Sequence, residues 1–217
     1  MQFFNTVLDG ETRRIAGFFI DVYAFVGINM FAVPQDYAKI LEALPEYLQR
    51  DRVVAIGEVG LEARSKTCDM DKQEDILKTE LRLAREFDKA VVLHLPPGDR
   101  AGWIERYLQL IDGAGLAREK AVIIHCDSAV IKTITQAGCN AGISVLPMRG
   151  LTPEDCAAMV AENGPERLLV GSDTRLTHRS DALGVPRVAV HMRKNGMSED
   201  DISRVLYDNP RRVFNLK

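Results

Sequence analysis

The chain has 217 residues, of which 46% are hydrophobic and 27% are charged, a composition typical of a soluble globular protein. The formal net charge of -3 argues against a generally basic nucleic-acid-binding protein. No run approaches the ~18 consecutive apolar residues of a membrane span. The first residues also lack the charged start and apolar core of a signal peptide, so we expect a cytoplasmic protein that does not enter the membrane.

The cysteines support the same location, because they are widely spaced and form no CxxC pair. They are Cys68, Cys126, Cys139 and Cys156. We interpret them as reduced thiols. Cys126 directly follows a histidine and could bind metal, but a packing role is favoured, because free cysteine is commonly buried as a small hydrophobe.

The first half of the chain alternates short apolar runs with helical patterns. Residues 4–18 predict a short helix or an irregular segment. The predicted elements that follow are a strand at 22–30, a helix at 37–49, a strand at 53–58, a helix at 71–87 and a strand at 90–95. The turn signals Pro96, Pro97 and Gly98 end the last of these strands.

The second half continues the alternation. The predicted elements are a helix at 100–111, strands at 121–125, 142–146 and 168–173, and helices at 128–136, 186–194 and 199–207. Thr152 followed by Pro153 predicts the start of one more helix. Units of about thirty residues without a linker predict one α/β domain over residues 1–217 with a parallel sheet.

Four of the predicted strands end in a residue that can bind metal or move a proton. These residues are Glu58, His94, His125 and Asp173. Parallel strands bring their C-terminal ends to one face, where barrel enzymes carry their catalytic groups. A single histidine or carboxylate at a strand end is commonly a core residue or a helix cap. Four on separate strands predict a hydrolytic centre for a divalent metal such as Zn²⁺ or Mn²⁺.

The motifs around these residues resemble one known family. The segments AIGEVGLE, VVLHLP, VIIHCDS and LLVGSDTR, with the closing DNPRRVF, are similar to the TatD-like metal-dependent hydrolases of the amidohydrolase superfamily. The resemblance implies an eight-unit (β/α) barrel and metal-dependent phosphodiester cleavage, notably DNase action. It implies that Glu58, His94, His125 and Asp173 bind the metal, with Asp173 also acting as general acid and base.

The chain departs from this family at its start. The family opens with a strand that ends in His-x-His, and this sequence contains no such pair. We therefore expect an incomplete TIM-like barrel of about six of the eight units. A truncated or misassigned start, a degenerate paralogue and a completing second chain are the three explanations left open. Loss of two ligands predicts weak metal binding. Exposed strand edges predict a homo-oligomer or a completing chain.

Two arginines are candidates for substrate binding. Arg149 and Arg175 each follow a predicted strand, where a guanidinium could clamp a phosphate or carboxylate. The substrate is then a small molecule or a nucleic-acid phosphoester, and an ester or amide would suit the same residues. Zn²⁺, Mn²⁺ and Mg²⁺ cannot be separated by ligand type alone. The rival hypotheses are a scaffold that has lost its chemistry and a metal-independent anion-binding module.

Overall fold

The computed structural model describes residues 2–11, 21–147, 150–174 and 181–216. Six strands occur in these ranges: β1 (Ala24–Val26), β2 (Val53–Gly60), β3 (Ala90–His94), β4 (Ala121–Ile124), β5 (Asn140–Ser144) and β6 (Leu168–Gly171). The α-helices are α1 (Gln2–Asn5), α2 (Tyr37–Leu48), α3 (Met70–Glu86), α4 (Arg100–Ala114), α5 (Ser128–Gln136), α6 (Pro153–Asn163), α7 (Gly184–Lys194), α8 (Glu199–Ser203) and α9 (Asn209–Phe214). A π-helix at Thr6–Glu11 follows α1, and another at Arg204–Asp208 precedes α9.

The strands form one parallel sheet in the order β1-β2-β3-β4-β5-β6. Each strand therefore pairs with its neighbours in sequence, and each connection is a crossover that returns to the same end of the sheet. Because all six strands run in the same direction, their C-terminal ends lie along one end of the sheet. The predicted α/β fold with about six barrel units is confirmed.

The outer face of the sheet packs against the helices and forms the main core. Val91 and Leu93 of β3, Ile123 of β4 and Ile143 of β5 are buried in this cluster. Alternate residues of the same strands point to the inner face, because successive side chains in a strand point to opposite sides. The near-continuous apolar sequence of these strands follows from burial on both faces.

The inner face carries a second, smaller apolar cluster. Its buried members are Ala55, Ala90, Val92, Val122, Leu169 and Val213. Phe214 of α9 packs against this cluster, and its ring lies 4.9 Å from the ring of Phe25 on β1. The C-terminal helix thus reaches across the inner face to the first strand.

The outermost strands β1 and β6 pair with β2 and β5 only, within the residues that the structure describes. The sheet therefore has two edges where a closed barrel would have none. The homo-oligomer or completing chain expected from the sequence would cover these edge strands, and it stays a prediction.

The bounds of four strands differ from the sequence prediction by two residues or more. β2 extends to Gly60, past the predicted end at Glu58, and β6 ends at Gly171, before the predicted end at Asp173. β1 is limited to Ala24–Val26, well inside the predicted 22–30, and β5 begins at Asn140, two residues before the predicted start. Asn140 is polar but buried, and its amide donates to the carbonyl oxygens of Glu119 and Ala121. These bonds allow a polar residue to open a buried strand.

Among the described helices, none combines the length and the apolar character that crossing a membrane requires.

Candidate metal centre

Three side chains converge at the end of the sheet where the strands have their C-termini. Glu58 lies on β2, His94 ends β3 and His125 directly follows β4. One carboxylate oxygen, Oε1 of Glu58, lies 3.0 Å from Nδ1 of His94 and 3.1 Å from Nε2 of His125. One ligand atom from each residue lies within 4.8 Å of the other two. The structure therefore brings together three of the four residues predicted at strand ends.

The strand register explains why these residues meet. His94 pairs with Gly60 on one side and with Ile124, the residue before His125, on the other. A shift in register between Ile56 and Val59 of β2 accompanies the placement of Glu58 toward the same point. His125 has a φ of 64°, a left-handed conformation that is uncommon outside glycine and found preferentially at functional sites.

The electrostatics of Glu58 follow from its two histidine neighbours. Burial would raise the pKa of Glu58, but the hydrogen bonds with His125 and His94 outweigh burial and lower the pKa to about 2. Glu58 is therefore a carboxylate at neutral pH and offers a negatively charged oxygen between two imidazole rings.

A second carboxylate lies behind His94. Oε2 of Glu62 is 3.4 Å from Nε2 of His94, and Arg64 donates to both Glu62 oxygens at 2.8 and 2.7 Å. The side-chain hydrogen bonds from Arg64 lower the pKa of Glu62 to about 2. Glu62 thus contacts a candidate ligand and orders the loop after β2.

The two histidines present different nitrogens to Glu58 because their other nitrogens have different partners. His94 turns Nε2 toward Glu62, which leaves Nδ1 for the centre. His125 turns Nδ1 toward Oγ of Ser144 at 2.8 Å, which leaves Nε2. Partners of this kind fix the orientation and tautomer of metal-binding histidines.

The donor set fits a divalent cation. A neutral imidazole carries one N–H and can donate to one carboxylate only, yet both nitrogens of His94 face carboxylates. A cation between Glu58 and the two rings would satisfy the nitrogens that lack a proton. Carboxylate oxygen with imidazole nitrogen is a ligand combination that Zn²⁺ and Mn²⁺ accept.

Asp173 lies beside this centre but outside the three-residue cluster among the described residues. It follows β6 by two residues, with a φ of 43°, and lines the same cavity as His125 and Ser144. Its predicted role as metal ligand and proton acceptor stays a prediction. The predicted substrate-binding residues Arg149 and Arg175 fall outside the described residues.

Cys126 is a packing residue in the structure. It is fully buried, its thiol donates to the carbonyl oxygen of Ile123, and burial raises its pKa to about 12. The favoured sequence interpretation of this residue is confirmed.

Two further residues at this centre, Ser144 and Phe31, were not predicted from the sequence. Ser144 is the polar residue inside the apolar run ISVL, and that interruption was the available signal. The ring of Phe31 lies 5.3 Å from the ring of His94 with its edge toward it, and the guanidinium of Arg64 covers Phe31 at 5.7 Å. No local pattern marks Phe31, because its role depends on contacts made across the sheet.

Comparison with known proteins gives a consistent result. The protein family described as TatD related DNase matches residues 9–215. An uncharacterized metal-dependent hydrolase of Methanocaldococcus jannaschii is 24% identical over 100% of this chain and 83% of its own length.

Two solved structures share the fold. A TatD-like protein of Archaeoglobus fulgidus superposes with a TM-score of 0.75 at 24% identity, over 98% of this chain and 80% of that one. The TatD homologue YjjV of Escherichia coli gives a TM-score of 0.70 at 21% identity, over 95% and 82%.

Proposed function

Because this chain belongs to the TatD related DNase family of metal-dependent hydrolases, we propose that it uses a divalent metal to activate water for the cleavage of a phosphodiester or a related ester or amide bond. The observation that carries the proposal is the convergence of both histidines on one oxygen of Glu58. The metal is Zn²⁺, Mn²⁺ or Mg²⁺. The enzyme works in the cytoplasm.

In the proposed reaction, separate residues bind the metal, transfer the proton and bind the substrate. Glu58, His94 and His125 hold the ion, and Glu62 and Ser144 hold the rings of the two histidines. A bound ion supplies Lewis-acid chemistry, polarising the scissile bond and acidifying water. Asp173 accepts the proton of the attacking water and returns it to the leaving group. Arg149 and Arg175 bind an anionic group of the substrate.

The alternative, a scaffold that has lost its chemistry, is not favoured. The sequence lacks the family's His-x-His pair, but a site without function would not be expected to keep its remaining ligands together with their supporting contacts. Here the carboxylate and both imidazoles converge, and each imidazole has a second partner.

The test has two stages, metal content and then turnover. Protein purified without chelator should contain metal by elemental mass spectrometry, and His125→Ala should lose most of it because a ligand is gone. His191→Ala, on α7 and outside the ligand cluster, is the matched control and should keep the metal content of the parent protein.

Turnover is measured next with bis(4-nitrophenyl) phosphate and 4-nitrophenyl acetate. Asp173→Asn should retain the fold but lose roughly 10²- to 10⁴-fold in kcat, the usual loss when a general base is removed. Unchanged kcat in Asp173→Asn would overturn the role of Asp173. Absence of bound metal, with none taken up on addition, would overturn the hydrolase proposal.

A further inference from the structure

An apolar chamber opens directly beside the candidate metal centre. Its volume is about 270 Å³. The lining residues that matter most are Phe25, Ile124, Leu169 and Phe214 on the apolar side and His125 and Asp173 at the edge of the centre. The chamber lies on the inner face of the sheet, between the two edge strands.

A glycine on the inner face helps to create this space. In β6, Leu169 belongs to the inner apolar cluster, so Gly171, two residues later, faces the same side. A Cβ built on Gly171 meets no atom within 4 Å. In β5, Gly142 also lines the chamber, but a Cβ built there would lie only 2.8 Å from Cγ2 of Ile124, so that side chain already takes its place. A larger side chain at Gly171 would fill part of the chamber, as inner side chains do in a packed barrel.

The lining has little charge. Among the described residues that surround the chamber there is no lysine or arginine, and the ionisable groups are His125 and Asp173 at the edge of the metal centre. A polynucleotide carries one negative charge per phosphate and is normally held by lysine and arginine. The transfer of an alkyl or aryl group from water to such a lining lowers the free energy of the system.

We propose that this chamber binds an uncharged apolar arm of a small substrate whose scissile bond lies at Glu58, His94 and His125. The proposal rests on the proposed function, because the metal centre fixes where the reacting group lies. It narrows the substrate class to small molecules with an alkyl or aryl substituent. The chamber selects the arm, and the centre cleaves the bond at its end.

The test uses alkyl hydroxamic acids, from acetohydroxamic acid to octanohydroxamic acid, titrated into Zn²⁺-loaded protein by calorimetry. The hydroxamate group chelates the metal in every member of the series, while the alkyl tail alone changes. Affinity should rise about fourfold per added methylene until the chamber is full, as expected for burial of apolar surface.

Gly171→Leu should abolish this dependence on tail length, because the new side chain occupies the chamber. The affinity for acetohydroxamic acid should stay unchanged. Gly113→Leu is the matched control, since a Cβ on Gly113 also meets no atom within 4 Å and Gly113 lies on α4, outside the chamber lining. This variant should keep the full dependence on tail length.

The outcomes separate the two proposals. If acetohydroxamic acid fails to bind the Zn²⁺-treated protein, the metal centre and the proposed function fail, and the chamber proposal fails with them. If acetohydroxamic acid binds but longer tails add nothing, the chamber proposal alone is overturned. A flat series together with a dimer in sedimentation velocity would assign the chamber to a second polypeptide and also overturn it.

Discussion

At the scale of single residues, the site depends on which nitrogen each histidine turns inward. Glu62 can only accept a hydrogen bond, so it selects the N–H form of His94 at Nε2. Ser144 can donate or accept, so it leaves the tautomer of His125 less restricted. Glu62 therefore restricts the tautomer of His94 more strictly than Ser144 restricts the tautomer of His125.

A different buried carboxyl group, Glu80 of α3, makes folding depend on pH. Its side chain is almost wholly buried and accepts the backbone N–H of Ile28 at 2.7 Å. Burial raises the pKa of Glu80 to about 8. Below the unfolded pKa near 4.5 both states hold the proton, so the free energy of unfolding is unaffected. As the pH rises from there toward 8, the unfolded chain releases the proton that the folded protein keeps, and stability falls.

We expect Glu80→Gln to remove this dependence, because glutamine keeps an oxygen for Ile28 and carries no ionisable proton. Between pH 4.5 and pH 7 the parent protein should lose on the order of 3 kcal/mol of unfolding free energy relative to the variant. Urea denaturation at several pH values measures this difference. Glu86→Gln, exposed at the end of the same helix, is the control. Parallel pH profiles for Glu80→Gln and the parent would show that Glu80 does not hold a proton.

At the scale of elements, the sequence predicted the strands and helices best where both faces are buried. Strands β2, β3 and β4, which carry or directly precede the ligands, begin where the sequence predicts, and helix α5 has the predicted bounds Ser128–Gln136. Prediction was poorer for β1, an edge strand with one neighbour, because pairing rather than composition decides where such a strand ends.

The site was predictable in part for the same physical reason. Parallel register brings His94 and His125 to the same end of the sheet, whereas the placement of Glu58 beside them accompanies a register shift in β2 that the sequence did not predict. The contact of Ser144 with His125 joins residues on neighbouring strands, and local periodicity cannot report such a contact. The chamber depends in part on the absence of a side chain at Gly171, and a glycine in a strand is only a weak signal of such a space.

The start of α6 offers a test at this scale. Thr152 accepts the N–H of Asp155 at 3.2 Å, and Asp155 in return accepts the N–H of Thr152 at 2.9 Å, forming a capping box. Thr152→Ala should lower the free energy of unfolding by about 1 kcal/mol. Thr133→Ala, exposed within α5, should be neutral or slightly stabilising, because alanine has the higher helix propensity. Equal effects of both substitutions on chemical denaturation would rule out the cap as the cause.

At the scale of the whole molecule, the candidate ligands come from three neighbouring strand regions in the middle of the sheet. Glu58, His94 and His125 belong to β2, to β3 and to the residue after β4. An ion held by all three binds only the folded arrangement. Its binding free energy therefore adds to the stability of the fold.

At a Zn²⁺ concentration about 1,000-fold above Kd, the added stability should be about 4 kcal/mol, and the thermal midpoint should rise by roughly 10 °C. Chelation with EDTA should reverse the rise. Glu58→Gln should show little of it, because the shared carboxylate is lost. Differential scanning calorimetry makes the measurement, with Glu86→Gln as the control. The same rise in Glu58→Gln would mean that zinc binds elsewhere.

The order of the strands also bears on how the protein emerges from the ribosome. Because neighbours in sequence are neighbours in the sheet, each unit can add to the one before it as the chain grows. All three ligands have been synthesised once His125 is added, whereas the ring of Phe214 that meets Phe25 comes almost last. A nascent chain therefore contains all three candidate ligands well before the last wall of its apolar chamber has been made.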